Sequence, residues 1–266
     1  MDVAIIDYYA NNGTSFLHKA KALWKVVFTA LVIASIILTN EFYMLLGIYI
    51  TLVTIAVWTR LPVSRIITIA AYPAIFALIF AFAMWNGSWL KAGVIILKAL
   101  TAALTMVVLI VTTPYPDVFN VLRPFLPRVI AEGLFVTYRS VFILLELTDE
   151  LIKGLKVRGG LTHRKYLRNI RNFSSGIGLL LVKGFDYSEK FYGMMNVRGY
   201  GGRITTQGTK TSINRNDVLA IALGLLIFAI TISTVIEKKV LEFGVYILLC
   251  SAVALVISSI YKQFQN

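Results

Sequence analysis

The chain has 266 residues, of which 58% are hydrophobic and 15% are charged, and its mean hydropathy is +0.78. Its apolar residues are gathered in stretches longer than the core helices of a soluble domain, which argues against a soluble enzyme. A formal net charge of +13 is typical of nucleic-acid-binding proteins or of basic cytoplasmic loops, and a single cysteine, Cys250, excludes a disulfide framework.

Six stretches are long and apolar enough to cross a bilayer as helices. A hydrocarbon core about 30 Å thick needs about 20 such residues, because backbone amides in lipid must be bonded within their own segment. The predicted spans cover residues 22–39, 42–59, 66–85, 92–113, 218–236 and 243–260. Asp2 and Asp7 stand where a signal peptide would carry basic residues, so we expect an uncleaved membrane protein.

A basic section separates the fourth span from the fifth. Residues 114–216 hold 16 of the 26 Lys and Arg residues but 7 of the 13 acidic residues. The positive-inside rule places this section in the cytoplasm, and six spans then place both termini there as well. The predicted organisation is therefore transmembrane helices 1 to 4 in residues 1–113, a cytoplasmic helical section in 114–216, and transmembrane helices 5 and 6 in 217–266.

Within the basic section the pattern predicts three helices, over about 115–122, 128–158 and 178–198, with Gly133 as a candidate break in the second. Apolar residues recur at helical spacing along one face of each long helix. The face of the second helix consists of Leu144, Leu147, Leu151 and Leu155, and that of the third includes Leu181, Phe185, Ser188, Tyr192 and Met195. These faces must pack on each other, on the membrane surface or on a partner.

Both long helices end in the same three residues, Val-Arg-Gly. Arg158 and Gly159 end the second helix, and Arg198 and Gly199 follow 40 positions later at the end of the third. One interpretation is two ordinary helix ends, with glycine in the left-handed conformation and arginine near the negative end of the helix dipole. The other is that each arginine is presented at a helix tip, where its guanidinium can bind a carboxylate of another protein.

No nucleotide, catalytic or metal site is predicted in this chain. Residues 202–211 superficially resemble a phosphate-binding loop, but a residue separates Gly208 from Lys210 and no apolar strand precedes them. Two histidines, His18 and His163, do not suffice for a metal site.

The pattern as a whole resembles the transmembrane T component of energy-coupling factor (ECF) transporters, the family that includes the cobalt-transport permease subunit. The resemblance covers nearly the whole chain. It is strongest at 112–114, 151–160 and 189–202, while 17–23 is similar to the family's N-terminal segment without its usual Asp-Pro.

The resemblance implies a non-catalytic coupling subunit that binds no cofactor itself. It implies that Arg158 with Gly159 and Arg198 with Gly199 dock into two cytosolic ATP-binding-cassette subunits, which bind the ATP. Val157 and Val197 stand where the family often has alanine. A small membrane-embedded substrate-binding (S) subunit would rest on the two apolar faces, and the complex would import a vitamin or a transition-metal ion such as cobalt or nickel.

Three other functions are weighed against this one. A stand-alone secondary transporter is the main alternative, but it predicts internal repeats and polar residues near the midplane, and neither is evident. A polytopic membrane enzyme predicts clustered His, Asp or Glu at a span end. Nucleic-acid binding by the basic residues 164–171 is less favoured than contact with anionic lipid or with the ATPases, so no nucleic-acid partner is predicted.

Overall fold

A computed structural model describes residues 10–11, 13, 15–59, 63–84, 87–160, 166–201, 215–237 and 250. All regular structure in these residues is helical, which confirms the all-α prediction. The chain divides into two compact units, one formed by residues 1–121 with 209–266 and the other by residues 122–208. The predicted boundaries at 113/114 and 216/217 stay a prediction.

The described helices are, in chain order, α1 (Phe16–Lys19), α2 (Ala22–Leu38), α3 (Phe42–Trp58), α4 (Val63–Ala83), α5 (Trp89–Thr112), α6 (Tyr115–Leu122), α7 (Arg128–Val157), α8 (Tyr166–Val197) and α9 (Arg215–Glu237). A 3₁₀ turn, Arg123–Phe125, joins α6 to α7.

Five helices match predicted membrane spans. Stretches within α4, α5 and α9 have a mean hydropathy of 2.3, 2.6 and 2.2 and are long enough to cross a bilayer. The apolar helices α2 and α3 have 17 residues each, at the short end of the range for a span. The protein is therefore a polytopic membrane protein, and the sixth predicted span, 243–260, lies outside the described residues apart from Cys250.

The membrane unit is organised around α5, which packs against three other described helices of the unit. Both α5 and α9 pack against α2, while α3 and α4 pack against α5. Fully buried side chains at the centre come from α2, α3 and α5, among them Val32, Leu45 and Leu104. A Cβ added to Gly224 of α9 would lie 3.1 Å from the Phe28 ring, so this glycine permits the close approach of α9 to α2. The helix that follows the basic section thus returns to the first span.

Several buried hydroxyl groups of the membrane unit bond within their own helices. On α5, Thr101, Thr105 and Thr112 are buried, and each hydroxyl donates to the carbonyl four residues earlier. This bond satisfies a polar group that lipid could not. The hydroxyls of these threonines are therefore satisfied within α5 itself.

Two predictions for the second unit were wrong in detail. α7 runs unbroken through Gly133, so no break occurs there. α8 begins at Tyr166, 12 residues before the predicted start at 178. The glycines and serines at 174–178 favour a loop by propensity. Packing of Gly176 against Leu151 of α7 shows that tertiary contact outweighs that preference.

Candidate functional site

The unit of residues 122–208 contains an antiparallel pair of helices. Along the pair, residue numbers on α8 fall as those on α7 rise. The contacts join Glu132 with Tyr200, Arg139 with Phe191, Leu144 with Gly184, Leu151 with Gly176, and Gly160 with Asn172. The C-terminal ends of α7 and α8 therefore lie at opposite ends of the pair.

α7 ends in a complete Schellman motif with Arg158 at the C-cap. The Gly160 amide donates to the Leu155 carbonyl at 2.8 Å, and the Gly159 amide donates to the Lys156 carbonyl at 3.1 Å. Gly159 has φ = 66°, a left-handed conformation that glycine adopts without steric cost. These bonds fix the backbone around Arg158, whose side chain is exposed.

α8 ends in the same motif with Arg198 at the C-cap. The Tyr200 amide donates to the Met195 carbonyl and the Gly199 amide to the Asn196 carbonyl, each at 3.0 Å. Gly199 has φ = 74°. The repeated Val-Arg-Gly sequence thus corresponds to a repeated backbone geometry, and Arg198 is exposed as Arg158 is.

Each tip presents a cation beside an apolar side chain. Val157 is 88% exposed and Val197 is 90% exposed, although valine is usually buried. Arg158, at the end of α7, lies beside the part of α8 that contains Asn172. Arg198, at the end of α8, follows Asn172 by 26 residues. At 1.5 Å per residue, the tips are about 40 Å apart along the pair. Chemically, each tip can offer a planar guanidinium to a carboxylate, with a small apolar surface next to it.

The predicted apolar face of α7 is turned towards α8. A groove of about 450 Å³ between the helices is lined by Leu147, Leu151 and Leu155, and Arg158 lies at its margin. Leu144 lines a second cavity of about 190 Å³. Leu147 is 8% exposed, so it contributes to the contact within the pair more than to the outer surface.

Most of the predicted apolar face of α8 is exposed, although its member Ser188 lines the second cavity together with residues of α7. Leu181, Phe185 and Tyr192 are exposed, and Met195 is half-buried. The earlier start of α8 lengthens the face at the same helical spacing. The added residues, all exposed, are Tyr166, Ile170, Phe173 and Ile177. An exposed apolar stripe therefore runs along α8 from its first turn to its last.

A buried polar junction in the membrane unit was not predicted from the sequence. Lys25 of α2 is 4% exposed, and its Nζ donates to the carbonyl of Thr112, the last residue of α5, at 2.7 Å. Asp217, in the first turn of α9, is fully buried and accepts the backbone N–H of Lys21 at 2.8 Å. The first span is thus bonded to the ends of the fourth and fifth.

The sequence contained a signal for this junction. Lys25 lies one turn inside an apolar span and Asp217 opens another, and ionisable residues in membrane helices usually have a specific partner. Taken separately, a lysine near the start of one span and an aspartate in the first turn of another helix are ordinary features of helix ends. Their proximity depends on the packing of α9 against α2, which spacing along the chain does not reveal.

The described residues contain no group of three or more His, Cys, Asp and Glu side chains arranged to hold a metal ion. The glycine-rich stretch 202–211 that was weighed as a phosphate loop lies outside the residues that the structure describes.

The comparison with known families agrees with this architecture. No curated protein matches the chain with significance. The sequence profile of the CbiQ family, described as cobalt transport protein, matches residues 13–211. This match includes α1 to α8 and both arginine tips, and covers about three quarters of the chain. The chain therefore belongs to the CbiQ family of cobalt transport proteins and is a membrane-embedded component of a transporter.

Proposed function

We propose that the chain is the transmembrane coupling subunit of an ATP-driven ECF-type importer. The observation that carries this proposal is the pair of helix tips, in which Arg158 and Arg198 occupy the same position of the same capping motif at opposite ends of α7 and α8. Two ordinary helix ends would not need an exposed arginine and an exposed valine at each tip. Two equivalent docking elements would.

The partners at the tips are two cytosolic ATP-binding-cassette subunits. Two tips about 40 Å apart suit two similar subunits, each with an acidic groove that receives one guanidinium. Arginine favours such a groove because its planar fork binds a carboxylate bidentately and stays charged when desolvated. The ATPases bind and hydrolyse ATP, and this chain contributes neither a cofactor nor a catalytic residue.

The proposed mechanism is mechanical. ATP binding draws the two ATPases together, and the tips of α7 and α8 move with the subunits that hold them. This displacement passes to an S subunit in the bilayer and reorients it. Such a step requires that ATPase binding differs in strength between two arrangements of the complex.

The exposed stripe of α8 is the proposed resting surface for the S subunit. Leu181, Phe185 and Tyr192 present an apolar face that a membrane-embedded partner can cover, and Met195 continues it. On α7, Leu144 is 41% exposed and can join that surface. The family description makes cobalt the first substrate to examine, with nickel and vitamins as the alternatives.

Affinity purification of the tagged chain in mild detergent tests the docking role. We expect ATP-binding-cassette subunits to co-purify with the wild-type chain. Arg158→Ala and Arg198→Ala should each weaken their recovery more than tenfold, because loss of a desolvated interfacial arginine costs about 2–5 kcal/mol. Lys183→Ala removes an exposed cation from the middle of α8, away from both tips, and is the control.

Uptake of radioactive cobalt by cells that express the complex completes the test. The double variant Arg158→Ala/Arg198→Ala should reach the membrane at the wild-type level but import no substrate. Full ATPase recovery and full uptake in the double variant would refute the proposal. Transport by the purified chain alone would instead support a secondary transporter.

A further inference from the structure

The two arginine tips share one capping motif but are attached to the opposite helix differently. At the Arg158 tip, the carbonyls that follow α7 accept hydrogen bonds from α8. Arg168 donates to the Gly159 carbonyl at 3.1 Å, and the Asn172 side-chain amide donates to the Gly160 carbonyl at 2.9 Å. The backbone just beyond Arg158 is therefore bonded to the first two turns of α8.

At the Arg198 tip, the attachment seen among the described residues runs through the Tyr200 side chain. The Tyr200 hydroxyl donates to Oε2 of Glu132, in the second turn of α7, at 2.5 Å. The same residue closes the cap, since its amide donates to the Met195 carbonyl. Tyr200 thus joins the end of α8 both to its own last turn and to α7.

The charge on Glu132 makes this bond persistent. Donation to the carboxylate raises the pKa of Tyr200 above its ordinary value. A tyrosine hydroxyl is protonated at physiological pH even at its ordinary pKa of about 10, and this upward shift keeps it a donor at higher pH as well. A hydrogen bond to a charged group is also stronger than a bond between neutral groups.

Attachment matters because helix ends fray. A capped but otherwise free last turn samples several orientations, and docking must then order the arginine at an entropic cost. A tip bonded to the neighbouring helix has already lost that freedom. A binding side chain acts best when neighbouring residues, bonded to it or to its backbone, hold it in the productive orientation.

We propose that Tyr200 with Glu132, and Asn172 at the opposite end, are positioning residues that hold Arg198 and Arg158 respectively in their docking orientation. Each set serves its own tip. This inference rests on the proposed docking function, and it assigns roles to side chains that need not touch the ATPases.

The test is a set of double-mutant cycles on the affinity between the full chain and the ATPase subunits recovered with the wild-type protein. Tyr200→Phe removes one hydroxyl, and we expect it to weaken binding about three- to tenfold. In the Arg198→Ala background it should have no further effect. In the Arg158→Ala background it should retain its full effect, because that change concerns the other tip.

Asn172→Leu should show the mirror pattern, with its effect lost in the Arg158→Ala background and kept in the Arg198→Ala background. Glu132→Gln retains an acceptor oxygen and should keep most of the affinity, whereas Glu132→Ala should match Tyr200→Phe. Tyr187→Phe removes the hydroxyl of an exposed tyrosine in the middle of α8, away from both tips, and should change nothing.

The outcomes separate the two proposals. If Arg198→Ala and Arg158→Ala leave ATPase affinity unchanged, the docking function itself fails. If they weaken it while Tyr200→Phe has no effect, or weakens binding equally in both arginine backgrounds, the positioning role is overturned. Should Tyr200→Phe fail to fold, the contrast between Glu132→Gln and Glu132→Ala decides in its place.

Discussion

At the scale of single residues, the helix tips depend on glycine. A Schellman cap requires one residue with positive φ after the helix, and a side chain there costs about 1–2 kcal/mol in steric strain. Gly159 and Gly199 take that place directly after the two arginines. The direction in which each arginine leaves its helix therefore depends on its glycine neighbour.

We predict that Gly199→Ala weakens ATPase recovery, because the strained cap no longer holds Arg198 in one orientation. Gly193→Ala, in the same helix, is the control. A Cβ there meets no atom within 4 Å, and alanine favours helix by about 1 kcal/mol. Co-purification of the two variants under identical conditions measures the difference, and equal recovery would contradict the prediction.

The buried junction is a second feature at the residue scale. Lys25→Met keeps the length and apolar stem of the side chain but removes the donor to the Thr112 carbonyl. We expect a loss of about 2 kcal/mol in unfolding free energy, the usual value for a hydrogen bond from a charged group. Unfolding in mixed micelles by added denaturing detergent would measure it.

Lys21→Met provides the comparison for Lys25→Met. Asp217 accepts the backbone N–H of Lys21, and a change of side chain leaves that bond in place. The two variants remove the same charge four residues apart. If both lower stability equally, net charge and not the buried bond is responsible.

At the scale of elements, the closeness of α7 and α8 depends on small residues. A Cβ added to Gly176 would lie 2.9 Å from Leu151 Cδ2, whereas one added to Gly178 would meet nothing within 4 Å. The two glycines are two positions apart on one helix but face different surroundings.

We predict that Gly176→Leu loosens the helix pair, at a cost of about 1–3 kcal/mol for overpacking, while Gly178→Leu is neutral or stabilising. Limited trypsin digestion of the detergent-solubilised chain would show faster cleavage within 122–208 for the first variant. Unchanged digestion of Gly176→Leu would mean that the helices separate there without cost.

The sequence predicted the bounds of the membrane spans more accurately than those of α8. Apolar runs predicted five described spans to within about three residues, because lipid demands a continuous hydrophobic helix. The start of α8 was misplaced by 12 residues, since glycine, serine and asparagine at 172–178 lower helix propensity. Their contacts with α7 stabilise the helix despite this low propensity. Such contacts cannot be detected from the spacing of apolar residues in the sequence.

At the scale of the whole molecule, membrane orientation is the property to test. The positive-inside rule places both arginine tips, and both termini, in the cytoplasm. In a Cys250→Ser background we expect Glu41→Cys, between the first two spans, to react with an impermeant thiol reagent added outside intact cells. Asn196→Cys, at the α8 tip, should react only after the membrane is opened. Labelling of Asn196→Cys but not of Glu41→Cys in intact cells would show that the topology is the opposite of the one predicted.

The sequence by itself determined that the chain is a membrane protein and that it has two arginine-bearing helix ends. Hydrophobic length and the distribution of basic residues predict membrane insertion, because both respond to the bilayer directly and do not depend on long-range contacts. The repeated Val-Arg-Gly predicted two equivalent caps, since glycine after a helix is a local preference.

Only the tertiary structure decided which groups meet. It placed the two tips at opposite ends of an antiparallel pair, turned the α7 leucines towards α8, and left the α8 stripe exposed. It also brought Lys25 to Thr112 and Asp217 to Lys21, across 87 and 196 positions of chain. Such pairings follow from how helices pack against one another, and helix packing is a property of assembled surfaces that no single segment encodes.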